Sequence, residues 1–175
     1  MPVTLNSSGI SFSDGNSQNS AASAGAGIQG TSITQYNSTT NLTFPSTSAA
    51  VIAKLGGGGG GGAHWTGFST GGTGGSAYGI VPRAAVGNSF NVTIGGGGSG
   101  IGGGQVGPSG GATYLSSTNI VIANGGAGGQ GNTNARGATG SGGGNYGVQT
   151  TGVGGNGSGW QGRGQAGKAL IAFIG

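Results

Sequence analysis

The chain has no cysteine and no glutamate, one aspartate (Asp14), one histidine (His64) and four prolines in 175 residues. Each scarcity closes a class of chemistry. Without a second carboxylate there is no acid–base pair, and without cysteine there is neither a thiolate nucleophile nor a disulfide framework. Asp14 and His64 alone do not supply the three or four ligands of a metal cage within one chain. The expectation is therefore a non-enzyme with no metal and no cofactor. Only Lys54, Arg83, Arg136, Arg163, Lys168 and Asp14 carry a fixed charge, and the net +4 comes from scattered cations. Their field is too thin for a nucleic-acid partner. No run approaches 18 apolar residues, and Met1-Pro2-Val3-Thr4-Leu5-Asn6 has neither a basic nor an apolar leader region. Neither membrane insertion nor a signal peptide is expected.

What the chain does have is glycine, 50 residues of 175, against a usual share of about 7%. Collagen would need glycine at every third position and abundant proline. Disorder fits poorly too, because low charge accompanies a hydrophobic share of 32%, whereas disordered chains combine low hydrophobicity with high net charge. The apolar residues form islands: Val51-Ile52, Ile80-Val81, Phe90 to Ile94, Tyr114-Leu115, Ile120 to Ile122 and Leu170 to Ile174. Phe90, Val92 and Ile94 alternate with Asn91 and Thr93, as in a half-buried strand. The islands at 120–122 and 170–174 are continuous, as in strands covered on both faces. The fold class expected is all-β with much irregular chain.

Five of the 50 glycines lie in residues 1–55. That first part carries strand-like pieces at Val3 to Leu5 and Ile10 to Phe12, an Asp14-Gly15 turn, a small-residue linker from Ser20 to Gly30 and a Thr-rich stretch from Ile33 to Phe44. Beyond it, glycines recur in threes: 104, 107, 110; 125, 128, 131; 137, 140, 143. Three residues per turn is the period of the extended polyproline II type helix, which has no internal hydrogen bonds. Glycine lets such helices approach closely enough to bond to one another. The reading is a sandwich of polyglycine II helices closed by short apolar strands.

Three sharper motifs dissolve in their context. Gly162-Arg163-Gly164-Gln165-Ala166-Gly167-Lys168-Ala169 imitates both GxGxxG and GxxxxGK, yet Ala169 stands where a P-loop has Ser or Thr and the chain ends before a ribose-binding acid. Nothing positions a Ser, His64 and Asp14 triad. Arg136-Gly137 and Arg163-Gly164 lack the density of RNA-binding arginine–glycine segments. A flat ice-binding face needs regular Thr or Ser rows, which the irregular triplets do not provide. The informative side chains are His64, Trp65, Phe68, Tyr78, Tyr146 and Trp160, large rings that interrupt glycine runs. They belong in loops or on outer faces, where rigid aromatics serve glycan or protein recognition; alternatively they cap the sandwich or pack between subunits. Phe12, Phe44, Phe90, Tyr114 and Phe173 lie in islands and are expected in the core.

Residues 42 to 55, Leu-Thr-Phe-Pro-Ser-Thr-Ser-Ala-Ala-Val-Ile-Ala-Lys-Leu, running into Gly56 to Gly62, resemble the opening of the glycine-rich domain of phage tail proteins. Phe90 to Ile94 entering Gly95 to Gly98, Gly110 to Tyr114 leading to Ile122 to Gly129, and the closing Gly167 to Ile171 match in order. Ile10-Ser11-Phe12-Ser13-Asp14-Gly15, with Gln18 and Ala21 beyond, is similar to a segment of phage tail-fibre proteins. The more distant likeness is to the adhesin at the tip of T-even-type long tail fibres. The resemblance implies an N-terminal attachment or oligomerisation arm over 1–41 and an adhesin-like domain over 42–175. It implies a trimeric virion tail fibre or spike component, made in the host cytoplasm without a signal peptide. Its arm would join other tail proteins, and its distal loops would bind a host surface glycan or outer-membrane protein. The alternative is a purely structural virion protein that joins or covers tail components without receptor contact.

Overall fold

A computed structural model describes residues 3–6, 9–12, 17–18, 32–64, 68–117, 120–130, 135–150, 154–159 and 162–175, with the backbone alone up to residue 18 and for Phe68. In chain order the strands are β1 (Val3–Asn6), β2 (Gly9–Phe12), β3 (Ser17–Gln18), β4 (Thr34–Tyr36), β5 (Thr40–Thr43), β6 (Ala50–Gly56), β7 (Ala63–His64) and β8 (Phe68–Ser69). Then come β9 (Ser76–Pro82), the single-turn helix α1 (Arg83–Val86), β10 (Ser89–Thr93), β11 (Thr113–Leu115), β12 (Val121–Ala123), β13 (Gly142–Gly143), β14 (Gly147–Thr150) and β15 (Lys168–Ile174). The class is all-β, and each apolar island contributes to a strand. At the N-terminus β1 and β2 pair antiparallel, Val3 opposite Phe12 and Leu5 opposite Ile10, with β3 beside β2. The Asp14-Gly15 turn and the linker fall outside the described residues.

Two five-stranded antiparallel sheets carry the core, in the orders β13-β12-β11-β10-β5 and β14-β9-β6-β15-β4. The Thr-rich stretch breaks at a bend over Asn37-Ser38, so that β4 and β5, near the 41/42 boundary, become edge strands of different sheets. Between the sheets Val51, Ala53 and Leu55 of β6, Ala77 and Val81 of β9, and Ala169 and Ile171 of β15 meet Phe90, Val92, Leu115, Val121 and Ala123. Burying each large side chain contributes about 1.5–3 kcal/mol. One end is sealed by Phe44, whose ring lies 5.3 Å from Phe90 and 5.2 Å from Phe173, edge-on to both. The Arg83 guanidinium sits 5.7 Å above Phe44 and its Nε donates to Asn88 Oδ1 at 3.0 Å. Phe44 and Phe90 thus join the core as expected, and Phe173, half-buried, packs against it. Tyr114 is instead half-buried, because its neighbours Thr113 and Leu115 take the inner face. The side chain of Phe12 is outside the described set.

The expectation that 120–122 and 170–174 are covered on both faces is corrected. In β12 Val121 and Ala123 are buried and Ile122 only half-buried, and in β15 Leu170, Phe173 and Ile174 are half-buried. The β15 run is continuous because the outer face of its sheet is apolar as well.

At the end away from Phe44 the strands run on into glycine. Segment 57–62 continues β6, and six others surround it. The amides of Gly57 and Gly60 donate to the carbonyls of Gly75 and Gly72, those of Gly58 and Gly61 to Gly111 and Pro108, and those of Gly59 and Gly62 to Gln165 and Gly162. The carbonyls of 57 and 60 accept from Gly155 and Ser158, those of 58 and 61 from Gly126 and Gly129, and those of 59 and 62 from Gly98 and Ile101. All of these bonds measure 2.7–3.1 Å. Every polar backbone group of a fully enclosed segment is therefore satisfied, as burial demands. The partner repeats every third residue, and three donor plus three acceptor directions give six neighbours. Those neighbours bond to one another in a closed ring, and 137–141 lies outside it against 71–75 and 124–129.

This arrangement explains the glycine phasing. A Cβ on any residue from 57 to 62 would overlap a backbone carbonyl of a neighbour. In the outer segments Gly71 and Gly74, Gly107 and Gly110, and Gly164 and Gly167 face the centre in the same way, whereas Pro108, Ser109, Gln165 and Ala166 are exposed. Hence one uninterrupted run and several triplets. Of the triplets, 125/128 and 137/140 meet carbonyls of adjacent segments. Gly104 serves a turn, at φ 76°, and a Cβ on Gly143 would meet open space. Gly131 is outside the described residues.

Candidate functional site

The glycine bundle ends in a tip, remote from the Phe44 end. There β7 and β8 form a small hairpin, Ala63 opposite Ser69 and His64 opposite Phe68. Ala63 also bridges Ile101, and the His64 amide donates to the Ile101 carbonyl at 3.2 Å. The Ser69 hydroxyl donates to the Ala135 carbonyl, and the Gly62–Gly162 bond brings the 159–162 connection alongside. The tip is thus built from four connections held in register by the backbone network. Among its described side chains His64 and Ile101 are half-buried, while Gln105, Gln130, Arg136 and Arg163 are exposed and Val106 is 55% exposed. Arg136 and Arg163 are its cations.

The predicted aromatic set divides. His64 and Phe68 stand together in the tip hairpin. Trp65 and Trp160 lie outside the described residues, but both are carried by connections whose flanking residues are at the tip. Tyr78 is not in a loop: it is half-buried in β9, in register between Lys54 and Val148. Tyr146, 40% exposed, is in the turn between β13 and β14, with its amide donating to the Ile120 carbonyl at 3.0 Å, at the end of the sandwich away from the tip. The 162–169 motif forms no phosphate cradle. Gly164 and Gly167 donate to Gly98 and Gly95, and the segment enters β15 rather than a helix.

Gln105, Val106, Arg136 and Arg163 were not legible as tip residues, because they carry no pattern apart from their place in connections. A second surface also went unseen. Along β5 and β10 the outer face of the β10 sheet is polar, with Asn41, Thr43, Ser89 and Asn91 exposed, while half-buried Tyr114 and Ile122 pair on that face across β11 and β12. The outer face of the other sheet presents Ile52, Tyr78, Ile80, Val148 and Leu170, of which Ile80 is 49% and Val148 61% exposed, with Lys54 in register between Leu170 and Tyr78. An antiparallel sheet with one wet face normally alternates polar residues outward, so a face that is apolar except for Lys54 has the character of a contact surface. The continuous run of β15 was its signal in the sequence.

No family model matches the chain, and no curated protein is significantly similar to it. Among the described residues no helix is long and apolar enough to cross a membrane.

Proposed function

We propose that the chain is a phage virion tail fibre or spike component whose glycine bundle is a sandwich of polyglycine II helices presenting a receptor-binding tip. The three-residue repeat of bonding partners around 57–62 supports the helix type. The observation that carries the functional reading is the tip itself, a backbone-bonded stem ending in the hairpin of His64 and Phe68, beside which Trp65 and Trp160 follow in sequence, together with the resemblance of residues 10–21 and 42–175 to phage tail proteins. A rigid support lowers the entropy lost when loops engage a surface. The partners are a host surface glycan or outer-membrane protein at the tip and other tail proteins at the N-terminal arm, in a homotrimer. Trp65→Ala combined with Trp160→Ala is expected to reduce adsorption to host cells at least tenfold, since aromatic anchors dominate interfaces. Unchanged adsorption by a folded double variant overturns the receptor role.

The exposed apolar sheet face favours a second reading, a structural virion protein that joins or covers neighbouring tail components. Under it, Ile80→Glu with Val148→Glu leaves the isolated protein folded and abolishes its incorporation into particles. Normal incorporation excludes this reading.

A further inference from the structure

Two apolar faces of this chain have no layer over them. One is the outer face of the β14-β9-β6-β15-β4 sheet, where Ile80 and Val148 stand exposed. Its charges are Lys54, half-buried between Leu170 and Tyr78, and Lys168 at the margin toward the glycine bundle, opposite Gly56. The other belongs to the N-terminal sheet. Register sets Val3 opposite Phe12 and Leu5 opposite Ile10. Successive strand positions alternate faces, so these four share one face, joined there by Gln18 opposite Ile10. Strands this short have no second layer of their own, and a sheet buries its apolar face against another element.

Charge decides which surfaces meet. Stacking the outer faces of two copies would bring Lys54 of each into an apolar contact without a counter-charge, which desolvation and like-charge repulsion both oppose. The sequence holds a single side-chain carboxylate, Asp14, two positions beyond Phe12 and between β2 and β3. In any assembly of this chain alone, only Asp14 can give Lys54 a side-chain carboxylate partner, and it travels with the apolar face of the arm. Reach is sufficient. Residues 19–33 join β3 to β4, an edge strand of the same sheet, and span up to about 50 Å when extended. The strand spacings from β4 to β9 amount to only about 14 Å. Because Ile80 and Val148 remain exposed in the single chain, the arm that covers them comes from a neighbour.

We propose that the N-terminal sheet of one copy packs its Val3, Leu5, Ile10 and Phe12 face onto the outer face of the β6 sheet of a second copy, with Asp14 beside Lys54. Such arm exchange closes as a reciprocal pair or as a ring. It rests on the oligomer of the proposed tail component and is independent of the receptor role of the tip. Sedimentation of the full-length protein up to about 200 µM is expected to show a discrete oligomer. Ile80→Glu with Val148→Glu removes the face, and Leu5→Ser with Ile10→Ser removes the arm. Each double variant alone is a monomer with a wild-type circular dichroism spectrum. Mixed together they form a heterodimer, since one keeps its arm and the other its face. Asp14→Asn and Lys54→Asp each raise the dissociation constant about tenfold or more. Lys54→Asp combined with Asp14→Lys returns it to within about threefold of wild type, which a merely structural role of Lys54 would not produce. A wild-type monomer, its face covered by its own arm or awaiting another protein, overturns the proposal and the oligomer together. Association that survives in the arm variant overturns arm exchange alone and leaves the oligomer standing. A mixture that forms no heterodimer, or wild-type affinity in Asp14→Asn, also overturns it.

Discussion

Gly61→Ala abolishes folding, whereas Gly96→Ala, in an adjoining segment, does not. A Cβ at 61 would overlap the carbonyl of Ser99 and crowd Gly98. Neither neighbour can withdraw freely, because segment 95–101 is tied to the centre by Gly98 and Ile101 and to 162–167 by Gly164 and Gly167. Relief at one contact therefore breaks several bonds, each of which leaves a buried amide or carbonyl unpaired at about 1–3 kcal/mol. Two or three such losses sum to about 2–9 kcal/mol, a range that spans the 4–5 kcal/mol marking an exceptional substitution and is comparable with a domain's roughly 5–15 kcal/mol of stability. At Gly96 an added Cβ meets nothing within 4 Å and its φ is not in the left-handed region. Alanine there restricts the unfolded chain and raises stability by about 0.4–1 kcal/mol. Soluble yield, circular dichroism and thermal unfolding of the pair decide the matter. A folded Gly61→Ala protein within about 1 kcal/mol of wild type would mean that the bundle yields where the packing says it is locked.

The strands were legible because β-branched and aromatic islands stand out in a glycine background, and the alternation of Phe90, Val92 and Ile94 marks their inner face directly. The three-residue bonding repeat was legible for a related reason: only carbonyl-facing positions require glycine, so Gly107 and Gly110 keep phase while Pro108 and Ser109 are free to vary. The number of neighbours was not legible. Seven glycines in a row mean that all three sides of a segment are occupied, but which segments occupy them is fixed by long-range pairing of strands as far apart as β6 and β15. The tip was half legible, since Trp65 and His64 interrupt a glycine run at a connection, whereas Tyr78 interrupts one just as visibly and lies in a strand. An aromatic after glycines marks the end of a close-packed segment; it does not say whether a loop or a strand follows.

Leu55→Ala tests whether sandwich and bundle are one cooperative unit. Leu55 is fully buried, and its partners on the adjacent strands are Ala77 and Ala169, so truncation leaves a row of three alanines. The next residues of β6, β9 and β15 toward the tip enter the hydrogen-bonded bundle, which prevents the strands from closing over the void. The loss is expected near the top of the range for such substitutions, about 3–5 kcal/mol. Ile80→Ala, on the exposed face, costs about 1 kcal/mol or less. The informative readout is amide exchange at Gly57 to Gly62, the direct continuation of the strand that carries Leu55. If these amides open only when the whole domain unfolds, their protection falls by the full destabilisation, about two to four orders of magnitude. If the glycine network stood as a separate unit, the sandwich would weaken while those amides kept their wild-type protection. The shared chain at residue 56 and the bonds from Gly167 to Gly95 and Gly57 to Gly75, all at the junction, favour the first outcome, in which the apolar core stabilises a bundle that has almost no side chains of its own to bury.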